Sequence, residues 1–474
     1  MKPFHIALGS VGIAILLVSV VALQSKLGYD NDEREITKLI GEYKAMGIPT
    51  NGDELVKKLP ASENAWTEIG PLLLDQQSKG VRFIFHSPIA RDMTMTCGKS
   101  DLPLIKKYLA ENQTIRDNIS AILTSKSKLQ VPHDYNDSYM TMLPELNAFT
   151  SLSWEYCLAA YAAGMDGNLF EAKRYLGFAN VFAKHCLERP EYVSTAYGAS
   201  IRNSVLQTSL RIIEANPSLT SELQAFTTSP NFVTKPDMRM TIRGEFVAQI
   251  GLPRYYDLPE MDRPSVPFFL EGFFPARNNR NIEIKGHAHP GDYMPASHKM
   301  RKQLRLMLES WKPLMQDLSE DRLPTQSRFS KETELSFKAL PKELSFLSPI
   351  LPTENSSYVM RMGLAEQGIE MNKAIYLAIH AKRSSGKYPS SVTIPNPPQV
   401  PVEKFAYIAN EKGVVVRSEV RSFGETQSLS FPASLSIDPK VLAKYRQRVA
   451  DYRNGIIGRN GTREKWGGAK RPIP

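Results

Sequence analysis

The stretch that decides the fold runs from Leu143 to Pro190 and reads LPELNAFTSLSWEYCLAAYAAGMDGNLFEAKRYLGFANVFAKHCLERP. Apolar residues recur in it at spacings of three and four, which is the period of one face of an α-helix. Gly164 is a usual helix-ending residue, and Asn168 precedes Glu171 by three positions, the spacing of a capping box. The stretch therefore predicts two long helices, and the short turn between them makes them antiparallel.

The same periodicity continues beyond this helical hairpin. Pro190 is expected in the first turn of a third helix that ends before Pro217, and the helical block reaches about Phe226. Further helices are predicted at 32–46, 62–78, 101–125, 299–318 and 356–381.

A different pattern follows near the C-terminal side. Asn410–Gly413 separates Phe405–Ile408 from Val414–Val420, which predicts a β-hairpin, and Ser428–Phe431 is expected to add a strand. The predicted fold class is therefore mainly α: an antiparallel helical bundle or stacked helical hairpins, a small C-terminal β-containing segment and one N-terminal transmembrane helix.

The transmembrane prediction rests on Phe4–Leu23, 20 residues without Asp, Glu, Lys or Arg, preceded by Lys2. At 1.5 Å per residue this length matches a bilayer core of about 30 Å. The alternative is a cleaved secretory signal, because Val20–Ala22 places a small residue where a signal peptidase would cut. We expect a single-pass protein of the cytoplasmic (inner) membrane, with 4–23 in the lipid bilayer and the main body extracytoplasmic.

Composition sets broader limits. The chain has 474 residues, 42% of them apolar and 23% charged, which excludes intrinsically disordered, collagen-like and disulfide-dense classes. The predicted segments are 1–25 (anchor or signal), 26–251 (helical body), 252–298 (an excursion rich in proline and aromatic residues), 299–385 (returning helices), 386–435 (Pro-rich connection and hairpin), 436–453 (a short helix) and 454–474 (a basic disordered tail).

The net charge of +10 favours anionic neighbours but does not indicate a reaction. From Arg453 onward, six Lys and Arg residues stand against Glu464 alone, a net charge of +5. This tail predicts contact with an anionic polymer or lipid. Nucleic acid is not favoured as a partner, because Trp466 is the tail's only aromatic residue for base stacking.

The three cysteines are predicted to be buried free thiols. Cys157 and Cys186 lie on the two antiparallel helices, but about 11 residues out of step, or about 16 Å along the axes. A disulfide requires Cα atoms within about 7 Å of each other. The pair should therefore not form, and Cys97 is interpreted in the same way.

One cluster of possible metal ligands stands out in the excursion: His287, His289, Asp292 and His298. Imidazole and carboxylate groups bind zinc and other divalent metals, and a catalytic site needs three protein ligands and an open position. His287, His289 and His298 could thus serve a metal-dependent hydrolase, although a solvated turn explains the same residues. No other cofactor is predicted.

Several short motifs together resemble a known group of proteins. They are Glu63–Ala65, then Ala162–Gly164, Asp166, Gly167 and Ala172, and finally Gly386, Tyr388 and Pro389. In this order they are similar to uncharacterised bacterial exported proteins with an N-terminal anchor or signal, a mostly helical body and a small C-terminal Gly-x-Tyr-Pro segment. The resemblance implies location and architecture but no activity.

The resulting functional prediction is a membrane-anchored envelope scaffold or interaction protein without catalysis, whose partner is another envelope protein. The metal-dependent hydrolase is the alternative.

Overall fold

The computed structural model describes residues 27–28, 30–73, 87–126, 128–133, 135, 143, 145–232, 238–256, 297–320, 355–394, 404–419, 426–459 and 461. Within these ranges no helix is both long and apolar enough to cross a bilayer. The predicted anchor at 4–23 lies outside them, as do His287, His289 and Asp292.

The described chain is mainly helical and carries a small antiparallel sheet, as predicted. Its helices are α1 (30–45), α2 (Trp66–Leu73), α3 (Pro88–Thr96), α4 (Leu102–Glu111), α5 (Gln113–Ser125), α6 (Glu145–Met165), α7 (Leu169–Leu187), α8 (Tyr192–Ala215), α9 (Thr220–Thr227), α10 (Met238–Tyr256), α11 (Ser297–Ser319), α12 (Asn355–Ser385) and α13 (Pro439–Arg453). The strands are β1 (Lys404–Asn410), β2 (Gly413–Glu419) and β3 (Thr426–Phe431).

The chain divides into two compact units. One contains 1–57, 133–142 and 242–356, and the other contains 58–132, 143–241 and 357–474.

In the first unit, α1, the 242–256 part of α10 and α11 share an apolar core. Tyr43 packs its ring 4.8 Å from that of Phe246, and its hydroxyl donates to the Leu308 carbonyl. At the edge of this core, Arg305 pairs with Asp32 at 2.7 Å. The shared apolar core therefore brings together helices that are distant in sequence.

The second unit is built on α6, α7 and α8. Asn168 caps α7 as predicted, because its side-chain oxygen accepts from the Glu171 backbone N–H at 3.1 Å. Gly167, at φ +77, supplies the left-handed turn. Gly164 does not end α6: it lies within the helix against α8, where an added Cβ would stand 2.4 Å from a methyl carbon of Ile212.

Other predicted helix boundaries need correction. The single helix predicted at 101–125 is two helices, because Asn112 leaves the helical conformation at φ −115, ψ 20. Pro190 precedes α8 rather than lying in its first turn, since Glu191 is the N-cap. Helix α3 was not predicted.

The sheet has the order β1–β2–β3, and every neighbouring pair is antiparallel. Asn410 pairs with Gly413 at the hairpin turn, and Val416 and Leu429 are buried on the core side. The predicted hairpin and third strand are therefore confirmed.

Helix α13 follows the sheet, and Asp438 caps its first turn by accepting from the Lys440 N–H at 2.7 Å. The described residues just beyond it, 454–459 and 461, differ from the predicted disordered tail. Ile457 is buried in the core of the second unit, and Arg459 contacts the buried carboxylate of Glu155. Packing and ion pairing therefore hold this part in place. Residues 462–474 lie outside the described ranges.

Candidate functional site

The predicted histidine cluster is not brought together by any described contact. His298 is the second residue of α11, with its side chain outside the described set, and the other three residues are not described. In the part of the chain that the structure describes, no three His, Cys, Asp or Glu side chains are placed to hold a metal ion.

A cluster of charged side chains lies where α13 and residues 454–459 and 461 pack on α3, α4 and α6. We call its C-terminal members, Arg448, Tyr452, Arg453 and Arg459, the C-terminal clasp. All of its contacts lie within the second unit.

The first contact of the clasp is made to a fully buried carboxylate. Arg448 places one guanidinium nitrogen 2.7 Å and 2.8 Å from the two oxygens of Asp92, whose side chain is 0% exposed. Burial raises the pKa of Asp92 above its usual range, although Arg448 and Arg91 act to lower it. The loss of hydration on burial therefore affects the pKa of Asp92 more than the two guanidinium groups do.

A second buried carboxylate, Glu155 on α6, receives Arg459. The Arg459 guanidinium donates to Glu155 and to the Tyr108 carbonyl, the latter at 3.1 Å, and lies 4.1 Å from the centre of the Tyr108 ring. Arg116 approaches Glu155 from the other side at 3.9 Å. Glu155 is thus flanked by two guanidinium groups, and one of them belongs to the predicted tail.

The rim of the clasp is more exposed. Arg453 pairs with Asp101 at 2.6 Å, and the Tyr452 hydroxyl donates to Glu111 at 2.7 Å. Beside them Arg91 lies between the rings of Trp154 and Tyr445, 4.8 Å from each ring centre. Cation–π contacts of this kind add modest stability and fix the position of α13.

A further buried ion pair lies at the N-terminal end of α6. Glu145 and Arg189 approach within 2.6 Å, with side chains 1% and 5% exposed, and Glu191 pairs with the same guanidinium at 2.7 Å. Among the residues of this unit that the structure describes, the buried acids therefore share one feature: Asp92, Glu145 and Glu155 are each paired with arginine. Such pairs connect neighbouring helices, and their carboxylates are buried away from solvent, whereas a general base must reach its substrate.

The three cysteine side chains are also buried away from solvent. All three are buried free thiols, as predicted, and burial raises the pKa of Cys97 to about 11 and those of Cys157 and Cys186 to about 12. Thiols with such pKa values carry little thiolate at neutral pH and are poor nucleophiles.

Sequence reasoning missed the clasp, although one signal was present. Tyr445, Val449 and Tyr452 are spaced by four and three, so α13 was readable as a helix with one packing face. The acids that α13 contacts could not be predicted from the sequence, because Asp92 and Arg448 are 356 residues apart.

Comparisons of the chain with known protein families, with curated proteins and with solved structures find no match.

Proposed function

We propose that the protein is a non-catalytic scaffold or interaction protein of the bacterial envelope, anchored through 4–23 with its main body outside the cytoplasm. The apolar leader and the resemblance of the loose motifs to anchored exported proteins support the location. The partner is another envelope protein.

One observation supports the proposal that the protein is not an enzyme. Asp92, Glu145 and Glu155, the buried acids described above, each contact an arginine, and two of those contacts come from the C-terminal clasp. Such pairs make a body whose helices are held in one arrangement, which suits a platform for another protein. Acid–base catalysis instead requires an ionisable group that faces a substrate.

The location is tested on full-length protein in cell membranes. Alkaline carbonate should leave the chain in the membrane pellet, and a reporter enzyme active only outside the cytoplasm should be active when fused after Pro474. Release by carbonate, or a reporter active only inside the cell, would overturn the anchored arrangement.

The absence of catalysis is tested by metal analysis of the same detergent-solubilised protein. We expect no stoichiometric divalent ion and a stable fold. About one ion per chain that is lost on His287→Ala, but kept on substitution of a histidine outside the cluster such as His133→Ala, would favour the hydrolase with His287, His289 and His298.

A further inference from the structure

The C-terminal clasp lies on a segment that is held to its unit by few apolar side chains. Of residues 439–459, all of which the structure describes, only Val449 and Ile457 are buried. Helix α6 beneath this segment is, by contrast, buried along most of its length. The segment therefore depends mainly on the polar contacts of the clasp, and it should open locally more readily than the core helices.

The surface beneath the clasp requires arginine. We call its four acids the acidic acceptor: Asp92, Asp101, Glu111 and Glu155. Two of them, Asp92 and Glu155, have side chains that are 0% exposed. A buried carboxylate that loses its guanidinium partner is strongly destabilised. A segment that replaces the clasp must therefore present arginines at the same spacing, and a second copy of the chain carries such a segment.

A short extended connection joins the sheet to α13. Ile437 and Asp438 lie between the 3-10 turn Ala433–Ser436 and the first residue of α13, at φ −93, ψ 131 and φ −54, ψ 130. Asp438 is exposed, and its side chain accepts only from backbone N–H groups of α13 itself. Rotation at these two residues redirects α13 without changing the helix or the sheet, so the connection can act as a hinge.

Two apolar side chains beside this hinge are left uncovered. Val441 precedes Arg448 and Tyr452 by seven and eleven positions, so it lies on the side of α13 that contacts the body. It is nevertheless 40% exposed, and Leu435, just before the hinge, is 38% exposed. The packing side of α13 therefore continues beyond the surface that its own chain provides. When two chains exchange this helix, their hinges lie beside each other and these side chains can cover one another.

We propose that two copies of the chain exchange their C-terminal clasps, so that the clasp of one copy binds the acidic acceptor of the other. The contacts of the clasp with the acceptor are then kept, the hinge changes conformation, and the apolar side chains at the hinge gain partners. Exchange of an identical element is a low-cost route to a dimer for this reason. The proposal goes beyond the scaffold function and does not depend on the membrane anchor.

Charge reversal at one contact of the clasp distinguishes an exchanged pair from a chain whose clasp binds its own acceptor. The Arg453–Asp101 pair is suitable because its side chains are 52% and 26% exposed. One full-length chain carries Arg453→Glu and the other carries Asp101→Lys. Either chain alone places like charges together, whereas an exchanged mixed pair has opposite charges at both contacts. The two chains are coexpressed with different tags, purified in detergent and counted as mixed or like pairs by native mass spectrometry.

We expect mixed pairs to exceed the statistical ratio about 25-fold, at a factor of about five for each of the two contacts. A chain with both substitutions restores opposite charges on its own acceptor, and two tagged versions of it should pair in the statistical ratio. This double variant also controls for the Gly98 N–H that Asp101 accepts from at 3.0 Å. The matched control reverses Lys106 and Asp166, an exposed pair outside the clasp, on separate chains and should show no preference. Protection of the native cysteines from thiol reagents shows that each variant is folded.

A second variant tests the hinge without altering any charge. Leu435→Ser combined with Val441→Ser should weaken the association of otherwise wild-type chains about a hundredfold in sedimentation, because four apolar side chains lose their cover in the pair. Chains that remain single, mixed pairs in the statistical ratio for the clasp variants, or an equal preference in the Lys106 and Asp166 control would overturn the exchange. Unchanged association of the hinge variant would also overturn it. Pairing through the membrane anchor alone gives the statistical ratio in every set, so it is distinguished from exchange.

Discussion

The ion pair between Arg448 and Asp92 allows a quantitative test of the C-terminal clasp. The Arg448→Met variant keeps an unbranched apolar stem but leaves the Asp92 carboxylate, 0% exposed, with Arg91 at 3.5 Å as its remaining charged neighbour. Breaking a buried ion pair by removing one partner costs about 3–5 kcal/mol. Because Arg448 is 24% exposed and Arg91 remains, the lower end applies, about 3 kcal/mol.

Hydrogen–deuterium exchange of the Pro439–Arg453 amides in the detergent-solubilised full-length chain measures this loss directly. A cost of about 3 kcal/mol corresponds to exchange about 100-fold faster when α13 opens locally. The double variant Asp92→Leu with Arg448→Met should recover much of the protection, because no unpaired charge is then buried.

The matched control is Lys106→Met, which removes an ion pair of similar length, 2.8 Å, whose side chains are 56% and 42% exposed. An exposed pair contributes at most about 1 kcal/mol, so α13 exchange should be unchanged. Unchanged protection in Arg448→Met, or a double variant less protected than that single variant, would refute the reasoning that burial makes this pair important.

Three other predictions concern packing, pH and thiol reactivity. Gly164→Ala should lower the unfolding free energy by about 1–3 kcal/mol in urea unfolding, since its Cβ would stand 2.4 Å from a methyl carbon of Ile212. Gly177→Ala should instead raise it by about 0.5–1 kcal/mol, because the Cβ there would stand 3.9 Å from the Phe226 ring and alanine favours a helix. Equal effects would contradict the close approach of α6 and α8. The raised pKa of Asp92 means that the native state binds the proton more tightly, so its contribution to stability is fully present below the usual value of 3.8 and is lost as pH rises through the raised pKa. The unfolding free energy of the wild type minus that of Asp92→Asn should therefore decrease across that window, and a difference that increases with pH would show the opposite shift. The cysteines should resist thiol reagents at pH 8 and react after denaturation, with rapid labelling of the native chain as the contrary result.

The local parts of the fold were predictable because their causes lie within a few residues. Asn168 and Glu171 are three positions apart, and Asn410–Gly413 spans a single turn, so cap and hairpin follow from local hydrogen bonding. The break at Asn112 was missed because apolar spacing alone continues across it, and a single asparagine only weakly disfavours a helix.

The clasp was beyond prediction for a different reason. Arg459 has the composition of a solvated tail, with glycines on both sides, and only its contact with Glu155 shows that it is packed. Such pairing depends on the tertiary arrangement of α4, α6 and α13, which hydrophobic periodicity does not encode. The same limit applies to the histidines, whose spacing in sequence suggests a site without establishing their geometry.

The long separation of the clasp partners has a consequence for biosynthesis. Asp92 leaves the ribosome 356 residues before Arg448, which at about 5–20 residues per second is a wait of roughly 20–70 s. During this interval Asp92 has Arg91 beside it but no guanidinium from α13, so the packing of α3 on α6 lacks a contact worth about 3 kcal/mol. Nascent chains that end before α13 should therefore be less protected from proteolysis at α3 and α6 than the completed chain.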